Sequence, residues 1–288
     1  MDRVTNFNRL RAMLAPAIRP VLEWIPPVRW LAMKVLARRQ PAVVEVEGLA
    51  FEVHPADFGV TFEIAQTGDY EPATRHACMA VIQEGDIFID IGAHVGLFAV
   101  PAAMAVGGAG RVIAFEPDPA NRGLLEVNIA RHELTNVDVM PFAVADQAGS
   151  LNLRQSRFNT GDHRLTHSGS GMAVDVVSLD AWCAEAGVSP SVIKMDVQGG
   201  EPAVLAGMNQ MLHGTDRLHL FLEFAPAMIR ATGADPRNLL EHLQDAGFVL
   251  NLIDERDGAV QTVDVDTLMR RCPDRGYVNV HAAREQSS

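Results

Sequence analysis

The sequence predicts an α/β fold: a mostly parallel sheet of seven strands with helices on both faces, preceded by an N-terminal helical segment and a β-hairpin. Three observations predict it. Short apolar runs alternate with amphipathic stretches along most of the chain, the pattern of a parallel sheet covered on both sides. The first of these runs ends in a glycine turn and is followed by an apolar helix. The 288 residues, 48% hydrophobic and 21% charged, suffice for a sizeable core, and no stretch of about 20 apolar residues is free of charge, so a spanning helix is not expected.

The chain opens on a separate electrostatic object. Residues 1–39 hold eight basic residues against two acids, although the whole chain carries a net charge of −12. Apolar residues such as Leu14, Ile18, Leu22, Trp24 and Trp30 are interleaved with Pro16, Pro20, Pro26 and Pro27. Residues 1–40 therefore read as a basic amphipathic helical segment, either docked on the body or in peripheral contact with an anionic membrane. Arginines and prolines interrupt the apolar residues, so no secretory signal is expected. Residues 41–69 form a second unit: apolar and acidic residues alternate through 42–54 about Gly48, a hairpin pattern, and His54 follows it.

Residues 70–288 carry the main body. Pro72 stands near the start of a helical stretch at 73–83, as helix starts prefer. Strands are expected at 86–91, 111–116, 137–143, 191–196, 217–223, 248–253 and 277–281, and helices at 95–106, 119–133, 179–186, 201–212 and 236–246. The rhythm breaks at 150–177, where two short alternations flank the Gly-, Ser-, Thr- and His-rich residues 157–171, expected to form a mobile surface loop. His163 and His167 on that loop share no helix face and are expected to be solvated rather than to bind metal.

The chemistry concentrates at 86–118. Ligands of open parallel sheets bind beyond the carboxyl ends of the strands, and Gly92 and Gly96 sit at such a place after the strand Ile87-Phe88-Ile89-Asp90-Ile91. Glu116 ends the next strand 20 residues beyond Gly96, a spacing suited to an acid that accepts hydrogen bonds from ribose hydroxyls. Each feature alone has a structural explanation, a tight turn or a helix cap; together they point to a nucleoside-bearing cofactor. The turn Gly92-Ala93-His94-Val95-Gly96 places a histidine where a pyrophosphate site needs its close-approach glycine. Asp90 would attract an ammonium group, and S-adenosylmethionine carries one and has no pyrophosphate. Neither Tyr70 nor Tyr277 is followed by lysine four residues on, so a nicotinamide-dependent oxidoreductase is the weaker enzyme reading.

From about Tyr70 to Ile253 the chain resembles the FkbM-type methyltransferases, which use S-adenosylmethionine and have the class I, Rossmann-like methyltransferase fold. The matching residues are Tyr70-Glu71-Pro72, Gly85-Asp86, Asp90-Ile91-Gly92-Ala93-His94-Val95-Gly96, Phe115-Glu116-Pro117, Ala143-Val144-Ala145-Asp146 and Ser178-Leu179-Asp180. The most specific run is Lys194-Met195-Asp196-Val197-Gln198-Gly199-Gly200-Glu201, and Glu223 closes the set. The resemblance implies O-methylation of a hydroxyl on a sugar, glycolipid or polyketide-like molecule. It implies that Asp90, Gly92, Ala93, His94 and Gly96 line the methionine part of the cofactor, that Glu116 holds its ribose, that Ala143 and Val144 border its adenine, and that Tyr70 and Glu71 form a lid. Two positions depart from the family pattern: His94 stands where asparagine is frequent, and Gln198 stands where glutamate is usual.

Methyl transfer to an alcohol needs a base for the hydroxyl proton. Asp196 is the first candidate, at the end of a strand on the cofactor side. Lys194 projects to the same face two residues earlier and would keep it ionised. The alternative is a structural ion pair. Glu223 ends the neighbouring strand, and Glu201, at a helix start, reads equally well as a cap. Asp196, Glu201 and Glu223 could in principle hold a divalent cation, but the adjacent lysine opposes this and no metal is expected. Loss of the family's glutamate at 198 keeps a rival class open, a non-catalytic S-adenosylmethionine-binding or interaction protein. The acidic balance argues against nucleic acid as a partner and favours a small-molecule or glycan acceptor. Cys78, Cys183 and Cys272 suggest neither a disulfide framework nor a zinc site, and a cytoplasmic, reducing compartment is expected.

Overall fold

The computed structural model describes residues 41–55, 57, 59–156, 159–166, 170–272 and 276–284. The basic segment 1–39 and His167 lie outside the described residues. The chain divides into two compact units, with the break after Tyr70. In the first, β1 (Val43–Val46) and β2 (Leu49–Glu52) pair antiparallel, followed by α1 (Val60–Thr67). Glu47 and Gly48 take φ of 50° and 79°, the two left-handed positions that a tight two-residue hairpin requires.

The second unit is the α/β body. After α2 (Pro72–Val81) come β3 (Ile87–Ile91), α3 (Ala99–Ala105), β4 (Arg111–Phe115), α4 (Pro119–Arg131) and β5 (Val137–Met140). Then follow β6 (Ala143–Val144), β7 (Gly149–Arg154), β8 (Arg164–Thr166), β9 (Met172–Val177), α5 (Leu179–Ala186), β10 (Val192–Met195), α6 (Glu201–Ala206) and α7 (Asn209–Gly214). The chain continues through β11 (Leu218–Phe224), α8 (Pro226–Ala231), α9 (Pro236–Asp245), β12 (Val249–Ile253), β13 (Val260–Thr262), α10 (Val265–Arg271) and β14 (Val278–Arg284).

Eight strands form the main sheet in the order β13-β12-β14-β11-β10-β3-β4-β5. The ladders from β11 through β10, β3 and β4 to β5 are all parallel, while β14 runs antiparallel between β11 and β12. The expected seven strands are all present. The eighth, β13, is three exposed residues on the edge and carries no apolar alternation to announce it. Chain order reverses between β3 and β10, and such a switch point opens a crevice at the carboxyl ends of the strands.

Register sorts the two faces. Ile89, Ile91, Ile193, Met195, Leu220 and Leu222 point to one side, where they form a continuous apolar core with Leu179, Leu205, Leu212, Leu240 and Leu268 of the covering helices. On the other side Asp90, Lys194 and Phe221 stand in register across β3, β10 and β11, and α2 packs on β10 and β11 there. The charged residues of β3 and β10 thus lie on one face.

Four expectations need correction. The strand expected at 137–143 is two strands, because Pro141 has no N–H to continue a ladder: β5 pairs with β4, while β6 joins a separate four-stranded sheet, β6-β9-β7-β8. The expected loop 157–171 contains β8, which pairs with β7. The helix expected at 201–212 is broken at Gly207, where a Cβ would lie 2.1 Å from the carbonyl oxygen of Ala145. That backbone contact halts the helix and docks the four-stranded sheet on the body. The helix expected at 95–106 starts only at Ala99, since the glycine turn extends through its first residues.

Candidate active site

The glycine turn is built by alternating left-handed residues. Gly92, His94 and Gly96 have φ of 80°, 51° and 95°. The amides of Gly92 and Ala93 both donate to the carbonyl of Phe115, at 3.0 and 3.1 Å, and Gly96 closes the turn onto Ala93. A Cβ on Gly92 would lie 2.2 Å from the carbonyl oxygen of Asp196. The glycine is therefore needed where the ends of β3 and β10 touch.

His94 is a non-glycine residue in the left-handed region, where only a few per cent of such residues fall. Its conformation aims its N–H at Glu116 Oε2, 2.8 Å away, and its Nε2 is 2.7 Å from Thr160 Oγ1. Glu116 Oε1 accepts from the Asp118 amide at 2.9 Å. Each oxygen of this buried carboxyl takes one backbone donor and keeps a second lone pair. Burial pushes its pKa up to about 8 against the pull of those two N–H groups. The expected loop is seated over this end of the turn: Asn121 donates to the Thr160 carbonyl, Gln155 to Asp118, and His163 lies 3.7 Å from Asp118. His163 is thus enclosed rather than solvated, its Nδ1 accepting from the Ser156 amide. Ala143 and Val144 are both buried in β6, and Val144 belongs to the main core.

Asp90, at the carboxyl end of β3, is 1% exposed, and neither of its oxygens has a hydrogen-bond partner of ordinary geometry. Burial raises its pKa to about 6; Lys194 and the Ala99 amide oppose the rise, and Asp196 adds to it. A buried carboxylate with both oxygens unsatisfied is costly unless a ligand supplies the donors.

Across the switch point lies a denser cluster. Lys194 is 7% exposed, with its Nζ 3.6 Å from Asp196 Oδ2 and 4.9 Å from the centre of the Phe98 ring. Burial works against the ammonium, but Asp196, Asp90, Glu71 and Glu223 outweigh it and hold its pKa above the ordinary lysine value. Gln198, itself left-handed at φ 54°, donates from Nε2 to Asp196 Oδ1 at 2.8 Å. The residue that departs from the family pattern thus supplies Asp196 with a donor. Asp196 keeps 14% of its side chain exposed, the open point of the cluster. Glu201 is 0% exposed and its Oε1 accepts from the amides of Val197 and Gly199, so it does order the turn before its own helix. Burial brings its pKa to about 7. Glu223 is 7% exposed, and its Oε1 has no partner. Burial first, then the charges of Asp196, Glu71 and Glu201, hold its carboxyl well above the ordinary glutamate value.

Asp90, the glycine turn, Glu116, Lys194, Asp196 and Glu223 thus fall toward the carboxyl ends of β3, β4, β10 and β11, whereas Ala143 and Val144 lie in β6 of the second sheet. Glu71, Glu255 and Asn279 also reach this edge; the resemblance made Glu71 part of a lid with Tyr70, and sequence reasoning gave Glu255 and Asn279 no role. Glu71 lies beside Asp196 and Lys194. Glu255, from the loop after β12, accepts from the amides of Ala73 and Thr74, from Thr74 Oγ1 and from Asn279 Nδ2. Only Glu71 carried a sequence signal, its place in Tyr70-Glu71-Pro72. His54 belongs to the first unit. Among the described residues, no three His, Cys, Asp or Glu side chains are grouped to hold a metal ion, and no helix is long and apolar enough to cross a membrane.

Six co-directional strands, a reversed last strand slotted between two of them, and an acid closing β4 beside a glycine turn define a class I methyltransferase. The sequence matches the methyltransferase FkbM domain over residues 90–250, and the chain belongs to that family. Among curated proteins, it is 26% identical over 219 residues to the hexuronic acid methyltransferase AglP of Haloferax volcanii, covering 75% of this chain and 85% of that one. It is 26% identical to the 2-O-methyltransferase NoeI of Sinorhizobium fredii, over 45% of this chain and 60% of the relative. It is 27% identical to the 31-O-demethyl-FK506 methyltransferase FkbM of Streptomyces tacrolimicus, over 44% and 61%.

Proposed function

We propose that this methyltransferase transfers the methyl group of S-adenosylmethionine to a hydroxyl of a sugar, glycolipid or polyketide-like small molecule. The observation that carries the reading is Asp196 at the switch point: a partly open carboxylate held by Lys194 and Gln198, its backbone against Gly92. The cofactor supplies an electrophilic methyl on a sulfonium. The unsatisfied oxygens of Asp90 suit its ammonium group, and the free lone pairs of Glu116 suit two ribose hydroxyls. Ala93, His94 and Gly96 complete the methionine wall beside Gly92, and Ala143 and Val144 give the adenine an apolar border. Two of the named relatives, a 2-O-methyltransferase and a 31-O-demethyl-FK506 methyltransferase, support an oxygen acceptor.

In this reading Asp196 accepts the hydroxyl proton as the C–O bond forms. Lys194, 3.6 Å from its Oδ2, fixes the direction of Asp196, and Glu223 lines the acceptor side. Calorimetric titration tests the cofactor: S-adenosylmethionine should bind and NADH should not. Glu116→Ala should weaken cofactor binding by about tenfold or more, the value of a charge-assisted hydrogen bond. Asp196→Ala should leave binding within a few-fold and slow turnover by about 10²–10⁴, as loss of a general base does. Transfer of radiolabelled methyl from the cofactor to a glycan or lysate extract would identify the acceptor. Absence of any methylated product from a protein that binds the cofactor would refute the reading.

A further inference from the structure

The cluster holds more acid than its one lysine can balance. Around Lys194 stand Glu71, Asp90, Asp196 and Glu223, and Glu201 lies beside Asp196 and Glu223. Asp196 has two partners, Glu201 orders its turn, and Asp90 lies toward the glycine turn. Apart from a side-chain hydrogen bond from Asn279 to Glu71, Glu71 and Glu223 have no comparable duty. Glu71 occupies the N-cap position of α2 yet makes no side-chain cap; Glu255, arriving from the far edge of the sheet, accepts the amides of Ala73 and Thr74 in its place. Glu71 nonetheless holds a left-handed backbone (φ 44°, ψ 52°), a conformation that is disfavoured away from glycine and clusters at functional sites. It is 4% exposed, Glu223 is 7% exposed, and the Oε1 of each is buried without a partner.

The groups facing the pair come from every neighbouring element: Lys194 and Asp196 at β10, Glu201 at α6, Glu255 after β12, and Asn279 on β14. Cys78 of α2 faces Lys194 and Asp90 instead. The neighbourhood is net negative and largely dry, and removing a proton from either glutamate there requires a new cation nearby.

We propose that Glu71 and Glu223 form a charge-reading pair, which releases a proton when the positively charged methyl donor binds and so favours that donor over the neutral thioether left after transfer. The proposal rests on the methyltransferase reading above. It also closes the charge account of the reaction. The C–S bond breaks with its electron pair staying on sulfur, the acceptor oxygen forms the C–O bond, and the hydroxyl proton passes through Asp196 to the cluster. One positive charge is lost at sulfur and one is regained as the proton on a carboxyl. The spent cofactor then faces a reprotonated pair with no charge to hold it.

Burial and the charge of Asp196 both raise the pKa values of the pair, and a cation brought close would lower them. The test is calorimetry with S-adenosylmethionine and S-adenosylhomocysteine, each titrated at pH 7.5 in phosphate and in Tris, whose ionisation enthalpies differ. The wild-type protein should release up to about one more proton with the sulfonium than with the thioether and bind the sulfonium about tenfold more tightly. Glu71→Gln and Glu223→Gln should each reduce both differences by about half or more, with thermal melts confirming that the variants fold. Equal proton release for the two ligands in the wild-type protein overturns the proposal, as does a difference that survives in both variants. If neither ligand binds, the methyltransferase reading itself fails, a result distinguishable from these.

Discussion

Glu116 and Glu223 are both buried acids at the carboxyl edge of the same sheet, and burial raises the pKa of both. Their surroundings are opposite. Glu116 accepts one backbone amide on each oxygen, from His94 and Asp118, residues of the turn and loop that flank its own strand. Glu223 leaves Oε1 unsatisfied, and its charged neighbours come from two other parts of the chain, residue 71 and the stretch 194–201. The β3–β4 side is organised before any ligand arrives, as a cofactor site should be. The β10–β11 side is held under electrostatic tension, with Lys194 as the cation that keeps it together.

That contrast makes Lys194 the most sensitive residue. Lys194→Met keeps the stem that lies against Phe98 and removes the charge. Breaking a buried ion pair from one side costs about 3–5 kcal/mol, and here several carboxyls lose their partner together. Urea denaturation should show a loss in that range at pH 8 and a smaller one at pH 6, where the acids can take up protons. A pH-independent loss would mean that the lysine acts through packing alone.

Replacing each glutamate by glutamine separates the two sides directly. Glu116→Gln turns one oxygen into an NH2 group that must face a backbone N–H, leaving donors unmatched at a cost of about 1–3 kcal/mol. Glu223→Gln creates no such conflict on its unpartnered Oε1. The folded pKa of Glu223 lies above its unfolded value, so its favourable contribution is complete below about pH 4.5 and is lost as pH rises toward the folded value. Glu223→Gln should therefore match wild-type stability near pH 4 and exceed it by about 1–3 kcal/mol at pH 8. Glu116→Gln should already be less stable near pH 4. Similar stability profiles for the two variants would erase the distinction.

The same contrast explains what could be read from the sequence. The turn from Asp90 to Gly96 and the acid at Glu116 were legible because short-range spacing builds them: a strand, two glycines, a helix and a second strand. Lys194, Asp196 and Glu223 were legible through strand alternation. Glu255 and Asn279 were not, because β14 and the loop after β12 reach the site only through sheet order. The break at Gly207 depends on the carbonyl of Ala145, 62 residues away and fixed by a second sheet whose strands carry only short apolar alternations. The two-way split of residues 137–143 did have a local signal, Pro141, which the apolar run obscured.

The smallest expected effect concerns Gln198. Its amide donates to Asp196 at 2.8 Å, where a carboxylate would set two acids against each other. Gln198→Glu restores the residue usual in the family and adds a charge on the open side of the cluster, where solvent moderates the repulsion. A proton shared between positions 196 and 198 would suppress the free base at neutral pH. The acid limb of the pH–rate profile should move upward by about one unit, equivalent to about 1.4 kcal/mol, with cofactor affinity little changed. If Asp196 is the base, the lost rate should return at higher pH. If the limb stays fixed while stability falls, Gln198 serves only to hold its left-handed turn, and the chemical side of the site extends no further than Lys194, Asp196 and the glutamates behind them.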